Sequence, residues 1–192
     1  TGLISAAGSE DSNYAIFIYN NSSVGTITNS GTISASAGED DEDAYGIYVE
    51  DTSTVGTITN SGTISASAGD STAVGIYVED TSTVGTITNS GTITASADKT
   101  DAHGIRLQSQ SSIGTITNSG IITASAGSSK AIGILISSAS TIGTITNSGT
   151  ISATAGNSTV SGLLGVKGIF ISSGSSITTL TNNGLIEAIS FA

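Results

Sequence analysis

The stretch Thr57-Ile-Thr-Asn-Ser-Gly-Thr-Ile-Ser-Ala-Ser-Ala68 decides the reading of this chain, because the chain writes it five times with at most two changes per copy. The other four copies stand at residues 26–37, 86–97, 115–126 and 144–155, and a divergent sixth runs Thr179-Leu-Thr-Asn-Asn-Gly-Leu-Ile-Glu-Ala188. Asn29, Asn60, Asn89, Asn118, Asn147 and Asn182 mark the repeats, at steps of 31, 29, 29, 29 and 35 residues. A fixed period in this range belongs to solenoids and propellers.

Working outward from the marker, residues 72–97 make one repeat. Val74, Ile76 and Val78 alternate with Ala73, Gly75 and Tyr77, which predicts a half-buried strand with Val74, Ile76 and Val78 on its core side. Glu79-Asp80-Thr81-Ser82 breaks the alternation as a turn would. A second short strand follows, with Val84 and Ile87 as its apolar members. Asn89-Ser90-Gly91 predicts a corner with positive φ, since Asn and Gly tolerate it. The third strand sets Ile93, Ala95 and Ala97 on one face and Thr92, Thr94 and Ser96 on the other. Loops of variable length join the repeats; they are acidic at residues 39–43 and 98–101 and longest at residues 157–165.

Three strands per repeat, with no 3.6-residue periodicity, predict an all-β fold: a single-stranded parallel β-helix of about six coils of ~29 residues. A propeller blade needs four strands in roughly 40 residues, which this period cannot hold. Residues 1–192 are expected to form one continuous solenoid, a segment of a longer repeat array, because residues 2–8 align with the second half of a repeat. Stacking at about 4.8 Å per coil puts each residue on its own copies. Ile16, Ile47, Ile76, Ile105, Ile134 and Ile169 then form one core column, and Ile18, Val49, Val78, Leu107, Ile136 and Ile171 a second. Ile27, Ile58, Ile87, Ile116, Ile145 and Leu180 form a third. The Asn column reads as the one polar position that never varies, each amide donating to one neighbour and accepting from the other.

Composition narrows the function. Fifteen acids against four bases give a net charge of −11, which argues against nucleic acid or an anionic membrane as partner. No apolar run approaches the ~20 residues that cross a bilayer, so the segment is not expected to be membrane-embedded. With no Cys there is neither a disulfide framework nor a thiolate metal site. A catalytic site needs a unique constellation, whereas repeats supply copies, so no catalytic or cofactor-binding residue is expected. His103, the single histidine, reads as a strand-edge residue.

Three surfaces remain as candidates. Glu50-Asp51 and Glu79-Asp80 place like charges one coil apart, where Ca²⁺ would relieve repulsion; solvated turns are the plainer reading. Phe17, Tyr48, Tyr77, Arg106 and Phe170, with Leu135 among them, form an outward stripe, either packed upon itself or open to a partner through cation–π contacts. Thr26 and Thr28, Thr57 and Thr59, Thr86 and Thr88, Thr115 and Thr117, and Thr144 and Thr146 flank core isoleucines. They would form a grid of hydroxyls about 6.6 Å apart along the strand and about 4.8 Å between coils. This grid resembles the Thr-X-Thr arrays of β-solenoid ice-binding proteins, which implies ice binding as an alternative function.

The Asn-Ser-Gly-Thr-Ile units, in Cys-free sequence rich in Ser, Thr, Gly and Ala, resemble the passenger regions of bacterial autotransporters (type V secretion). The resemblance implies a right-handed parallel β-helix at the bacterial cell surface or released outside the cell. It further implies an adhesive or structural role, as a rigid shaft whose partners are host glycans or proteins, or other copies of itself. The enzymatic inserts of some such passengers have no counterpart here.

Overall fold

The computed structural model describes residues 2–8, 12–38, 42–157 and 165–191. Every regular element among them is a β-strand. After β1 (Leu3–Gly8), the chain winds through β2 (Asn13–Ile18), β3 (Ser23–Asn29) and β4 (Thr32–Ala37). The next winding is β5 (Ala44–Val49), β6 (Thr54–Asn60) and β7 (Thr63–Ala68). It is followed by β8 (Ala73–Val78), β9 (Thr83–Asn89) and β10 (Thr92–Ala97), then by β11 (Ala102–Leu107), β12 (Ser112–Asn118) and β13 (Ile121–Ala126). The last two are β14 (Ala131–Ile136), β15 (Thr141–Asn147) and β16 (Thr150–Asn157), and β17 (Lys167–Ile171), β18 (Ser176–Asn182) and β19 (Leu185–Phe191).

Each strand from β4 to β16 pairs in parallel with the third strand before it and the third after it, and the strands at the two ends of each sheet pair on one side. The result is a three-faced parallel β-solenoid, as the repeat predicts. β2, β5, β8, β11, β14 and β17 form one face, here the aromatic sheet; β3, β6, β9, β12, β15 and β18 form the threonine sheet. The third face holds seven strands, from β1 to β19. Like pairs with like: Ile47 with Ile76, Ile58 with Ile87, Ile64 with Ile93. The three predicted isoleucine columns meet inside and are fully buried in the middle coils. Burying one such side chain contributes roughly 1.5–3 kcal/mol, so the columns dominate the stability of every coil. A second cluster of stacked alanines, including Ala66, Ala68, Ala73, Ala95, Ala97 and Ala102, fills the narrow corner between the aromatic and seven-stranded sheets.

Strict alternation fails at one place. Val74 does not face the core with Ile76; it sits outside against Tyr45, Tyr48 and Tyr77, while Ala73 faces inward. Gly75 is the cause. A Cβ there would lie 2.6 Å from the Gly104 carbonyl oxygen and 2.7 Å from Cγ2 of Ile93. Positions 75 and 76 thus both face inward, the strand bends between them, and the phase of everything before the glycine inverts.

The corners also differ from expectation. Asn89-Ser90-Gly91 has no positive φ; the left-handed pairs lie in the preceding turn, at Asp51–Thr52, Asp80–Thr81, Ser109–Gln110 and Ser138–Ala139. The turn holds this conformation because it is bonded coil to coil: the Thr52 amide donates to Asp80 and the Thr81 amide to Ser109, each at 2.9 Å.

Two polar ladders run through the interior. The asparagine ladder behaves as the repeat predicts: Nδ2 of Asn60, Asn89 and Asn118 donates to Oδ1 of Asn89, Asn118 and Asn147 at 2.7–2.8 Å. A second donor proton serves the next coil's main chain, as from Asn118 to the Thr150 carbonyl at 3.1 Å. The other ladder is serine, so asparagine is not the sole invariant polar position. The amides of Ser22, Ser53, Ser82, Ser111 and Ser140 donate to the hydroxyls of Ser53, Ser82, Ser111, Ser140 and Ser175, at 3.1–3.2 Å.

Candidate functional site

The aromatic stripe is a stack directed along the solenoid. Tyr48 and Tyr77 lie 4.8 Å apart and 5° from parallel, Phe17 and Tyr48 5.3 Å apart, and the neighbouring Tyr14 and Tyr45 join the same pile. Arg106 caps it at 4.8 Å from the Tyr77 ring centre. The ring faces and the cation are therefore used on one another, leaving Tyr48 at 7% and Tyr77 at 4% exposure. Phe17 and Tyr19 remain exposed, and Phe170 half-buried.

The acidic turns border this stack and are tied to it. Tyr77 donates to Glu79 at 2.7 Å, Tyr48 donates to Glu50 at 2.6 Å and also to Glu79, and Gln108 donates to Glu79 at 2.7 Å. Hydroxyl protons thus sit between carboxylates that would otherwise repel. Burial and the two carboxylates push the Tyr48 hydroxyl far above its ordinary range, so these tyrosines remain donors. Asp51 and Asp80 hold the left-handed turns beside them. Glu50, Asp51, Glu79 and Asp80 do lie in neighbouring coils, but Glu79 spends its oxygens on three protein donors. Among the described residues no group of three or more His, Asp or Glu side chains is placed to hold a metal ion. Of the acidic loop at residues 39–43, residues 39–41 lie outside the described set, as do residues 158–164 of the longest loop.

His103 is not at an edge. It occupies the outer side of β11, a strand with neighbours on both sides, between Val74 and Ile132 and only 2% exposed. Its Nδ1 is buried without a hydrogen-bond partner among the described residues. Burial, assisted by the Arg106 and Lys130 charges and opposed by Asp101, lowers its pKa to about 3. Since the folded value lies below the unfolded 6.5, this stability is present above pH 6.5 and drains as pH falls. The maximal slope is about 1.4 kcal/mol per pH unit. His103→Val, matching its neighbour Val74, is expected to flatten the loss of stability between about pH 6.5 and 4.5. Urea midpoints measured across that range check it, and an unchanged slope would assign the acid sensitivity elsewhere.

The threonine pairs fall where the repeat puts them. Ile58, Ile87, Ile116 and Ile145 are buried, and Thr57, Thr59, Thr86, Thr88, Thr115, Thr117, Thr144 and Thr146 point outward, half-buried or exposed. Thr26 and Thr28 continue the columns in the coil below. A further hydroxyl column escaped the Thr-X-Thr reading: Ser23, Thr54, Thr83, Ser112 and Thr141 stack in register, with the Thr54 hydroxyl donating to Ser23 at 3.1 Å. The seven-stranded sheet carries its own outward columns, including Ser65, Thr94, Thr123 and Ser152. In the coils from β5 to β16, the outward strand positions of these two sheets hold no charged residue. Charge collects on the turns and strands around the aromatic sheet, where Lys99 pairs with Asp70 and Lys130 with Asp101.

Neither a curated protein nor a solved structure matches this chain, and nothing found supports ice binding. A family model does match, over residues 6–190, and it describes the fourth domain of BigA. An all-β solenoid matched over nearly its whole length by that model belongs to the BigA fourth-domain family, a family of bacterial surface-protein domains.

Proposed function

We propose that this domain is a rigid shaft segment that binds by many weak contacts along its length, to host glycans or proteins or to another copy of itself. The observation that carries the proposal is the pair of outer faces tiled with hydroxyls at coil spacing and free of charge in the middle coils. One hydroxyl contact is worth little in water. Rows of them on a stiff support act together, and avidity multiplies modest affinities. A net charge of −11 opposes association in general, but its placement around the aromatic sheet leaves the other two faces free to approach a neutral surface. Export as an autotransporter passenger is part of the proposal, and the absence of cysteine fits threading of an unfolded chain.

Display of the domain on a non-aggregating bacterium tests this reading. Cells are expected to clump, or to adhere to host cells or immobilised glycans. The triple substitution Thr57→Glu, Thr86→Lys and Thr115→Glu, whose charges alternate in sign from coil to coil, should abolish that binding while leaving the melting temperature within a few degrees. Displayed, folded domain that neither clumps cells nor binds host cells or glycans would reduce the role to that of a spacer.

A further inference from the structure

Two groups of asparagines in this chain lie in unlike settings. The ladder residues Asn29, Asn60, Asn89, Asn118 and Asn147 are buried, and the second residue onward from them is Gly31, Gly62, Gly91, Gly120 or Gly149. Asn20 and Asn21 are the opposite case. Both are exposed at the tip of the turn between β2 and β3, with φ of 60° and 56°. Neither carboxamide has a hydrogen-bond partner among the described residues, whereas the Asn21 main-chain amide is fixed to the Asp51 carbonyl at 2.8 Å. The backbone is thus held while the side chains project free.

The residues that follow make both of them Asn-X-Ser sequences: Asn20-Asn21-Ser22 and Asn21-Ser22-Ser23. Such a triplet marks an acceptor for N-linked glycosylation when it lies on an exposed turn of a surface protein. The corresponding turns of the next four coils carry Asp51–Thr52, Asp80–Thr81, Ser109–Gln110 and Ser138–Ala139, none of which supplies an asparagine. The two triplets differ in the serine they depend on. Ser22 donates its hydroxyl to the Tyr19 carbonyl at 2.5 Å and is committed to the turn, whereas Ser23 accepts from Thr54 at 3.1 Å and keeps its own proton free for another acceptor.

We propose that Asn21 is a glycosylation site, modified by a transferase that uses a phosphate-activated sugar. Nδ2 of Asn21 forms a bond to the anomeric carbon as the bond from that carbon to the phosphate oxygen breaks. The leaving phosphate takes the electron pair, and the carboxamide proton goes to a base on the transferase. The exposed Tyr19 ring, stacked on Phe17 at 4.7 Å, stands beside the turn as a platform for the first sugar. The modification is independent of what the hydroxyl faces bind.

The test is glycopeptide mass spectrometry of the full-length protein recovered from the surface of its own bacterium. The peptide spanning residues 20–23 is expected to carry a sugar on Asn21. Ser23→Ala should remove it and Ser22→Ala should leave it, while the peptides holding Asn60 and Asn89 stay unmodified. An unmodified 20–23 peptide in the native protein would overturn the proposal. So would a sugar on Asn20 that is lost in Ser22→Ala and kept in Ser23→Ala.

Discussion

Gly91→Ala is expected to cost about 3 kcal/mol or more, one of two large effects that the interior makes testable. The added methyl would overlap the Gly62 carbonyl oxygen in the coil below and lie 2.7 Å from the Ser61 carbonyl carbon. Both obstacles are main chain, so no rotamer change can make room. The two coils would have to part, and their parting breaks the bond from the Thr92 amide to the Gly62 carbonyl at 2.9 Å. Stability in a repeat array is close to a sum over neighbouring coils. One opened junction should therefore split urea unfolding into two transitions as well as lower the midpoint. Gly25→Ala is the control, since its methyl meets nothing within 4 Å. A single transition with unchanged midpoint in Gly91→Ala would show that the stack yields more readily than its contact distances imply.

Asn118→Ala comes second, at roughly 3–5 kcal/mol, because it orphans several buried groups at about 1–3 kcal/mol each. Asn89 would lose the Oδ1 that accepts its proton at 2.7 Å, and Asn147 the donor at 2.8 Å. The Thr150 carbonyl would lose a partner at 3.1 Å. Asn118 is fully buried, so water cannot step in. The same change at the exposed Asn182 should cost less, roughly 1–2 kcal/mol, since it removes a single ladder bond, the one its Oδ1 accepts from Asn147 at 2.8 Å, and its own amide donates to the nearby Gly184 carbonyl, at 3.1 Å, where water can take its place. Equal losses at the two positions in thermal unfolding would mean that the ladder adds nothing beyond local turn bonding.

The columns could be read from sequence because parallel in-register stacking maps a fixed step in the chain onto a fixed place in space. Ile58 predicts Ile87 by position alone, and Thr57 predicts Thr86. What the step cannot give is which way a side chain points where the strand is not straight. Val74 is misplaced because an alternation counted across Gly75 loses its phase at the bend. The left-handed turn was assigned to Asn-Ser-Gly because those residues tolerate it most easily, yet hydrogen bonds between coils impose it on Asp80 and Thr81, including a β-branched residue that resists it. The serine ladder had a visible signal in the six serines at 22, 53, 82, 111, 140 and 175. In a chain so rich in serine the column did not stand out. Burial of the aromatic stripe depended on rings closing over one another, which the residue types permit without requiring.

Strands pair only with the third neighbour on either side, so each storey of this tower touches just the storeys above and below. Inserting or excising one 29-residue block therefore alters the reach of the molecule by about 4.8 Å without creating a kind of junction the protein does not already contain. Height can drift by duplication and loss of whole storeys while the load-carrying cross-section stays the same.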